Sequence, residues 1–392
     1  MNSLVVFSHL RWNFVYQRPQ HLLSRLAGRW PVIFIEEPVP GAADDRIEHI
    51  AAGPGVQVWR PHVRGAAHGF HPDHQAVLQR LVVQALREQR VTDYWIWFYT
   101  PMALPVAEVL EPMGIVYDCM DELSAFKNAP QQLLDQEAEL LRIADVVFTG
   151  GRSLYNAKRH RHANIHCFPS SVDADHFRRA GADHPLQAHI ARPRLGYCGV
   201  IDERLDLDLI AGMADARPEW QFVMVGPIVK IDPASTPQRP NIHWLGQQGY
   251  DDLPAFISGW DVCLLPFALN DATRFISPTK TLEYMACGRP SVSTRIRDVV
   301  EPYGHVVAIE DDAAGFVRAC EAALQRTVAE QQAHAQALAA IIARTSWDAT
   351  ASAMGELIAR IDDAGGDVSP ATAGLIPASG TRTSDSTAAV PA

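Results

Sequence analysis

The stretch with the most evident chemistry is Pro266–Thr294, PFALNDATRFISPTKTLEYMACGRPSVST. An apolar run ending at Pro266 leads into a polar loop. Ser277, Pro278 and Thr279 then open a helical pattern, in which Ser is a good N-cap and Pro suits the first turn. The unpaired amides and the dipole of such a helix start attract an anion, and a diphosphate fits both. Lys280 adds a point charge where a cation is unfavourable unless an anion compensates it. Glu283 lies one turn further on, where a carboxylate accepts hydrogen bonds from two vicinal hydroxyls. Gly288 and Pro290 end the helix. The same pattern also fits an ordinary capped helix, with Glu283 paired to Arg289 or Lys280.

Other polar groups lie at the ends of apolar runs. Asp118 and Asp121, in VYDCMDELSAF, are paired carboxylates just after a strand and candidates for acid–base work, with Asp118 placed nearer a cleft. Asp121 equally suits a helix cap. His9, Arg11, Trp12, Arg18 and Gln20, in HLRWNFVYQRPQHL, offer aromatic and hydrogen-bonding surface for a polar acceptor or for the donor; Trp12 and Phe14 as core, with Arg18 as a helix-start charge, is the alternative. No Gly-x-Gly-x-x-Gly loop follows the first strand. His68, His71 and His74 have a spacing that zinc ligands share, but Pro72 interrupts them and no Cys or carboxylate cluster joins them, so an exposed loop is expected and no metal. Lys158–His162, KRHRH, is a solvated helix end or a contact for anionic lipid.

The elements that position these groups alternate through the chain. SLVVFSH, PVIFIEEP, YWIWFYT, GIVYDCM and DVVFTG read as buried strands. After a Pro-, Asp- and His-rich linker at about 169–193 come RLGYCG, QFVMVGP, NIHWLG, DVCLLPF, PSVST and HVVAIE. Helices are expected at 18–29, 74–89, 131–143, 205–214, 251–259, 278–287 and 312–326. Continuous apolar strands alternating with helices define an α/β fold of parallel sheets covered on both faces. Two such doubly wound, Rossmann-like domains facing a cleft are expected, over 1–175 and 176–345. A helix at 346–362 then crosses back to the first domain. The Gly-, Ser-, Thr- and Pro-rich tail 363–392 cannot bury enough surface to order itself.

The chain has 392 residues, enough for two domains, and a net charge of −11, which speaks against a nucleic-acid partner. Six scattered cysteines without a C-x-x-C pair read as buried thiols of a reducing compartment. MNSLVVFSHL reads as a first strand and not a signal peptide, and no run reaches the ~20 apolar residues that span a bilayer.

SPTKTLEYMACGRPSVST resembles the donor-site signature of family 4 retaining glycosyltransferases of the GT-B fold. Further matches are in the right order. IADVVFTGGRSLYNAKR…FPSSVDADHF resembles the segment joining the two domains, RLGYCGVIDERLDLDLI the start of the second, and SWDATASAMGELI the closing helix. The opening, with VYDCMDELSAF, is similar to transferases of bacterial cell-surface polysaccharide and teichuronic acid synthesis.

The resemblance implies a metal-independent transfer, with retention, from a nucleotide sugar (UDP preferred over GDP) to a glycan or lipid-linked acceptor. The protein is then expected in the cytoplasm, at the inner membrane face where the acceptor is lipid-linked. Carried over, Glu283 holds the ribose, and Ser277, Thr279, Lys280 and the amides around Pro278 receive the diphosphate. Arg204 contacts the phosphates, and Trp244, Leu245 and Gly246 lie near the base. The family's second basic residue is replaced by Leu209, with Arg274 or Lys230 as substitutes. The family's first glutamate is Phe275 here; Asn270 or Asp271 is then expected to take over the sugar hydroxyls. Two other classes remain: a nucleotide-sugar epimerase or hydrolase of the same fold, and a non-catalytic sugar-binding partner protein.

Overall fold

The computed structural model describes residues 2–126, 129–179 and 182–365. The first apolar run forms β1 (Ser3–Ser8), buried along its whole length because parallel strands flank it on both sides: β2 (Val32–Glu36) and β5 (Tyr94–Phe98). Side chains alternate across a strand. Val5 and Phe7 therefore pack with Leu78, Val82 and Leu140 on one face, and Leu4 and Val6 with Leu22, Leu26 and Trp97 on the other. The sheet is completed by β3 (Arg46–Gly53), β4 (Val56–His62), β6 (Gly114–Cys119), β7 (Val146–Thr149) and β8 (Ile165–Cys167), in the order β3-β4-β2-β1-β5-β6-β7-β8.

The second sheet consists of β9 (Arg194–Cys198), β10 (Gln221–Val225), β11 (Ile242–Trp244), β12 (Val262–Leu265), β13 (Ser291–Ser293) and β14 (Ala308–Ile309). Its order is β11-β10-β9-β12-β13-β14, with all pairs parallel. In both sheets the first strand sits inside the order and the chain winds outwards on either side. This is the doubly wound α/β architecture expected, and it directs the strand-end loops of both sheets to one cleft.

The parallel rule has one exception. β3 runs antiparallel to β4 at the sheet edge and is largely exposed, so RIEHIAAG carries no continuous apolar run. The helix Val328–Ile342 was also not anticipated. It starts at a Thr327–Glu330 capping box, but only Leu338 and Ile342 on it are buried, so it has almost no apolar stripe to read.

The last helix, Trp347–Gly365, returns to the first sheet. Trp347, Met354 and Ile358 lie in one cluster with Leu22, Leu26 and Trp30, and Trp95 Nε1 donates to Asp362 at 2.7 Å. The two halves also meet directly: Ser153 N donates to Asp298 at 3.0 Å, placing a carboxylate of the second half at the start of a helix in the first. The tail read as disordered lies, from residue 366 on, outside the described residues. Among the described residues no helix is long and apolar enough to cross a membrane.

Candidate functional site

Loops leaving β1, β6, β9 and β12 converge on a cavity of about 160 Å³ bounded by Tyr16, Asp121, Gly199, Arg204, Ser277–Lys280 and Glu283. It shares Val15, Tyr16, Gly199, Val200 and Leu253 with a neighbouring cavity of about 530 Å³, which extends over Gly226 and Gln247–Tyr250. Both domains contribute to both.

The floor is glycine by necessity. Gly199 ends β9 with φ +145°, and a Cβ there would overlap Lys280 Cε. Gly226 ends β10 with φ +147°, and a Cβ there would overlap the Gly199 carbonyl. Two parallel strand ends are thereby pressed together beneath the Lys280 side chain.

The wall is the helix Thr279–Ala286. Its N-cap is Pro278, not Ser277, and no side chain caps it. Thr281 N donates to the Pro278 carbonyl at 3.1 Å, which leaves the Thr279 and Lys280 amides for a ligand, because helix starts carry unpaired donors and partial positive charge. The hydroxyl expected to share this task is engaged elsewhere: Thr279 Oγ1 donates to Ser170 Oγ at 3.2 Å, and Ser170 Oγ donates to the Ser277 carbonyl at 2.7 Å. Ser170 belongs to the first half, so these bonds fix the helix start against the other domain.

Glu283 is buried at 7% exposure and, among the described residues, accepts no hydrogen bond. Burial raises its pKa from 4.5 to about 6, partly offset by Lys280. A desolvated carboxylate without a donor is costly unless something supplies one. Arg204 is oriented by a buried carboxylate: its Nε and Nη2 donate to Asp202 at 2.9 and 2.7 Å. The guanidinium stands 5.7 Å from the Phe126 ring centroid, and Lys230 Nζ lies 5.2 Å from the same ring. Lys230 thus reaches the cleft from the end of the second sheet, with φ +61°. Half-buried Asp121 lines the cavity; burial raises its pKa, opposed by Arg204, Arg18 and Lys230.

Several expected site residues lie elsewhere. Asp118 is fully buried, and Arg18 donates to its carboxylate at 2.9–3.2 Å and to the Phe168 carbonyl at 2.7 Å. The pair ties the first helix to the sheet and withdraws Asp118 from the cleft, whereas Arg18 still borders the smaller cavity beside Asp121. Trp12 packs edge-on against Phe34 at 5.0 Å, so it is core, though its edge borders the larger cavity. Burial and Lys230 lower the pKa of His9 to about 4; among the described residues its Nδ1 has no partner, and it lines neither cavity. Trp244 donates to the Pro237 carbonyl at 3.2 Å within the second core, and Gly246 (φ +68°) accepts from Gly226 N at 2.8 Å. The residues at the cavity are instead the following four, Gln247–Tyr250. Arg274 and Asp271 face away, into a separate hollow. Phe275 packs against the first-sheet core. Lys158, read within a basic helix end, is buried and paired with Glu122 and Glu137 at 2.7 and 2.8 Å, so it offers nothing to a lipid surface.

Tyr250 was missed. Its ring stacks on Tyr16 at 4.5 Å and on His176 at 4.2 Å, bridging the two halves beside Glu283. The available signal was one aromatic in each of two strand-end loops, without any motif to join them.

Two parallel sheets facing such a cleft, crossed by a final helix, constitute the GT-B fold. Within it, residues 192–326 match the family model described as Glycosyl transferases group 1. The chain is 22% identical over 250 residues to TuaH of Bacillus subtilis, which bears the name of a teichuronic acid biosynthesis glycosyltransferase. That match spans 58% of this chain and 63% of TuaH, less than two thirds of the relative's length. Among solved structures, sucrose-phosphate synthase from Thermosynechococcus elongatus superposes with a TM-score of 0.69 at 16% identity, covering 93% of this chain and 100% of that one. Anabaena HepE in complex with UDP and glucose gives 0.65 at 14% identity, covering 92% and 100%. At these identities the solved structures establish the fold.

Proposed function

We propose that the chain is a glycosyltransferase that moves a sugar from a nucleoside diphosphate sugar to a glycan or lipid-linked acceptor of cell-surface polysaccharide synthesis. The observation that carries this reading is Glu283: a buried carboxylate without a donor, one turn behind an uncapped helix start that bears Lys280. Two ribose hydroxyls supply the missing donors, and the diphosphate takes the first-turn amides, Lys280 and Arg204. The base lies over Gly226 against Gln247–Tyr250, beside Tyr16. UDP is preferred over GDP. The name of TuaH supports a polysaccharide acceptor, and the UDP and glucose named with HepE support the donor class.

In this reading catalysis is electrostatic. Negative charge develops on the leaving diphosphate, and fixed N–H groups and cations stabilise it most there. These groups stand in for a divalent metal. The acceptor hydroxyl attacks from the face the diphosphate leaves; its oxygen bonds to the anomeric carbon, the carbon–phosphate oxygen bond breaks, and the proton passes to the departing phosphate oxygen. The anomeric configuration is retained. Asp121, beside Arg204, is the carboxylate placed to orient the hydroxyl. The site of action is the cytoplasmic side of the membrane.

The test is nucleotide release from a panel of UDP- and GDP-sugars, with and without a lipid and glycan extract. Acceptor-stimulated release supports transfer. Release without acceptor indicates hydrolysis, and epimerised donor an epimerase. Tight nucleotide binding without turnover across the panel indicates a sugar-binding partner protein. Each of these three results overturns the proposal.

A further inference from the structure

A third hollow, about 710 Å³, lies between the domains on the other side of the 120–126 loop. It stands back to back with the donor cavity. Asp121 and Arg204 line the donor side, while their chain neighbours Glu122 and Glu203 line the outer side. The wall is thus one residue thick at two places, and the Phe126 ring closes it against the Arg204 and Lys230 cations.

The chemistry of the hollow is that of a saccharide subsite. Phe126 and Phe275 present ring surface, and Leu134 is 44% exposed at its edge. Its charges largely cancel, since Lys158 is neutralised by Glu122 and Glu137, and Arg161 pairs with Glu137 at 3.3 Å. Two exposed groups are left over. Among the described residues, the Asp271 carboxylate and the Arg274 guanidinium make no ion pair and no hydrogen bond; Arg274 only overlies the Phe275 ring at 5.2 Å. Asn270, by contrast, is committed: its amide nitrogen donates to the Glu203 carbonyl at 3.0 Å and its oxygen accepts from Thr273 N at 3.1 Å. With as many uncommitted carboxylates as cations, the hollow does not select a phosphate. Ring faces flanked by one free acceptor and one free donor suit the hydroxyls and C–H faces of an uncharged sugar ring. The same loop borders a further hollow of about 630 Å³ that shares Asn270, Asp271, Arg274 and Phe275, so the surface continues beyond one sugar.

We propose that this outer hollow, with Asp271 and Arg274 as its polar handles, binds an uncharged saccharide unit of the acceptor. The proposal rests on the transferase reading. It places this saccharide unit away from Trp12 and Arg18, which border the donor-side cavities, and gives Asp271 an acceptor in place of the donor sugar.

Saturation-transfer NMR of the full chain tests it, with methyl α- and β-pyranosides of glucose, galactose, mannose and N-acetylglucosamine as probes and UDP as competitor. At least one glycoside is expected to bind and to remain bound at saturating UDP. The double variant Asp271→Ala/Arg274→Ala is expected to weaken that glycoside about tenfold, corresponding to one or two lost hydrogen bonds, with UDP affinity and melting temperature unchanged. Glu283→Gln is expected to do the reverse. Displacement of the glycoside by UDP, an undiminished signal in the double variant, or no signal from any probe overturns the proposal. Failure to bind UDP refutes the donor site instead, so the two failures are distinct.

Discussion

Lowering the pH from 7 to 5 should weaken binding of UDP-glucose about tenfold through Glu283 alone. Its carboxyl titrates at about 6 in the free protein, raised from 4.5 by burial. The ribose hydroxyls donate far more strongly to the ionised form, whose two oxygens both accept. About nine-tenths of the protein carries that form at pH 7 and about one tenth at pH 5, so affinity falls as pH falls through the raised value. For stability the sign is opposite. Between 4.5 and 6 the folded protein holds a proton that the unfolded chain has lost. The free fold therefore loses stability as pH rises through this window, by ~2 kcal/mol for this shift. A bound nucleotide offsets that loss, so the gain in melting temperature from ligand should be larger at pH 7 than at pH 5. Calorimetry across the range is the assay, with UDP-glucose because the terminal phosphate of UDP itself titrates at about 6. Glu283→Gln should bind one to two decades more weakly at pH 7, as expected for a lost charged hydrogen bond of about 1.5–3 kcal/mol, and should show no such pH slope. An unchanged affinity in the variant, or the same slope in variant and wild type, refutes the assignment.

Further consequences concern the scaffold. Arg18→Ala leaves Asp118 buried without its partner and should cost about 3–5 kcal/mol in urea unfolding, whereas a catalytic Arg18 would lower turnover with little loss of stability. Ending the chain at Arg344 removes Trp347, Met354 and Ile358 from the first core and should lower the melting temperature by several degrees or prevent folding; an unchanged melting curve refutes that packing account.

The helix Thr279–Ala286 was legible because each of its features is local. Pro278, Lys280 and Glu283 follow within one and a half turns, and their spacing on a helix fixes which side of the cleft each reaches. The strands were legible because runs such as VVF and VCLL are buried on both faces and so contain no polar interruption. What failed depended on partners far along the chain. Asp118 reads as a catalytic carboxylate in sequence, but Arg18, a hundred residues earlier, occupies both its oxygens. Lys158 looked solvated until Glu122 and Glu137 enclosed it. Asp271 and Phe275 lay near Glu283 in sequence, yet the loop turns them to the far side of the Phe126 wall.

The amino-acid sequence by itself determined two largely parallel sheets and a helix that carries Lys280 and Glu283 at its start. Hydrophobic period, capping chemistry and glycine placement all act within a few residues. Tertiary structure alone decided which charges are spent on the scaffold, which stay free, and that the cleft has a second side. Ion pairing and burial are set by contacts across the fold, and no spacing along the chain records them.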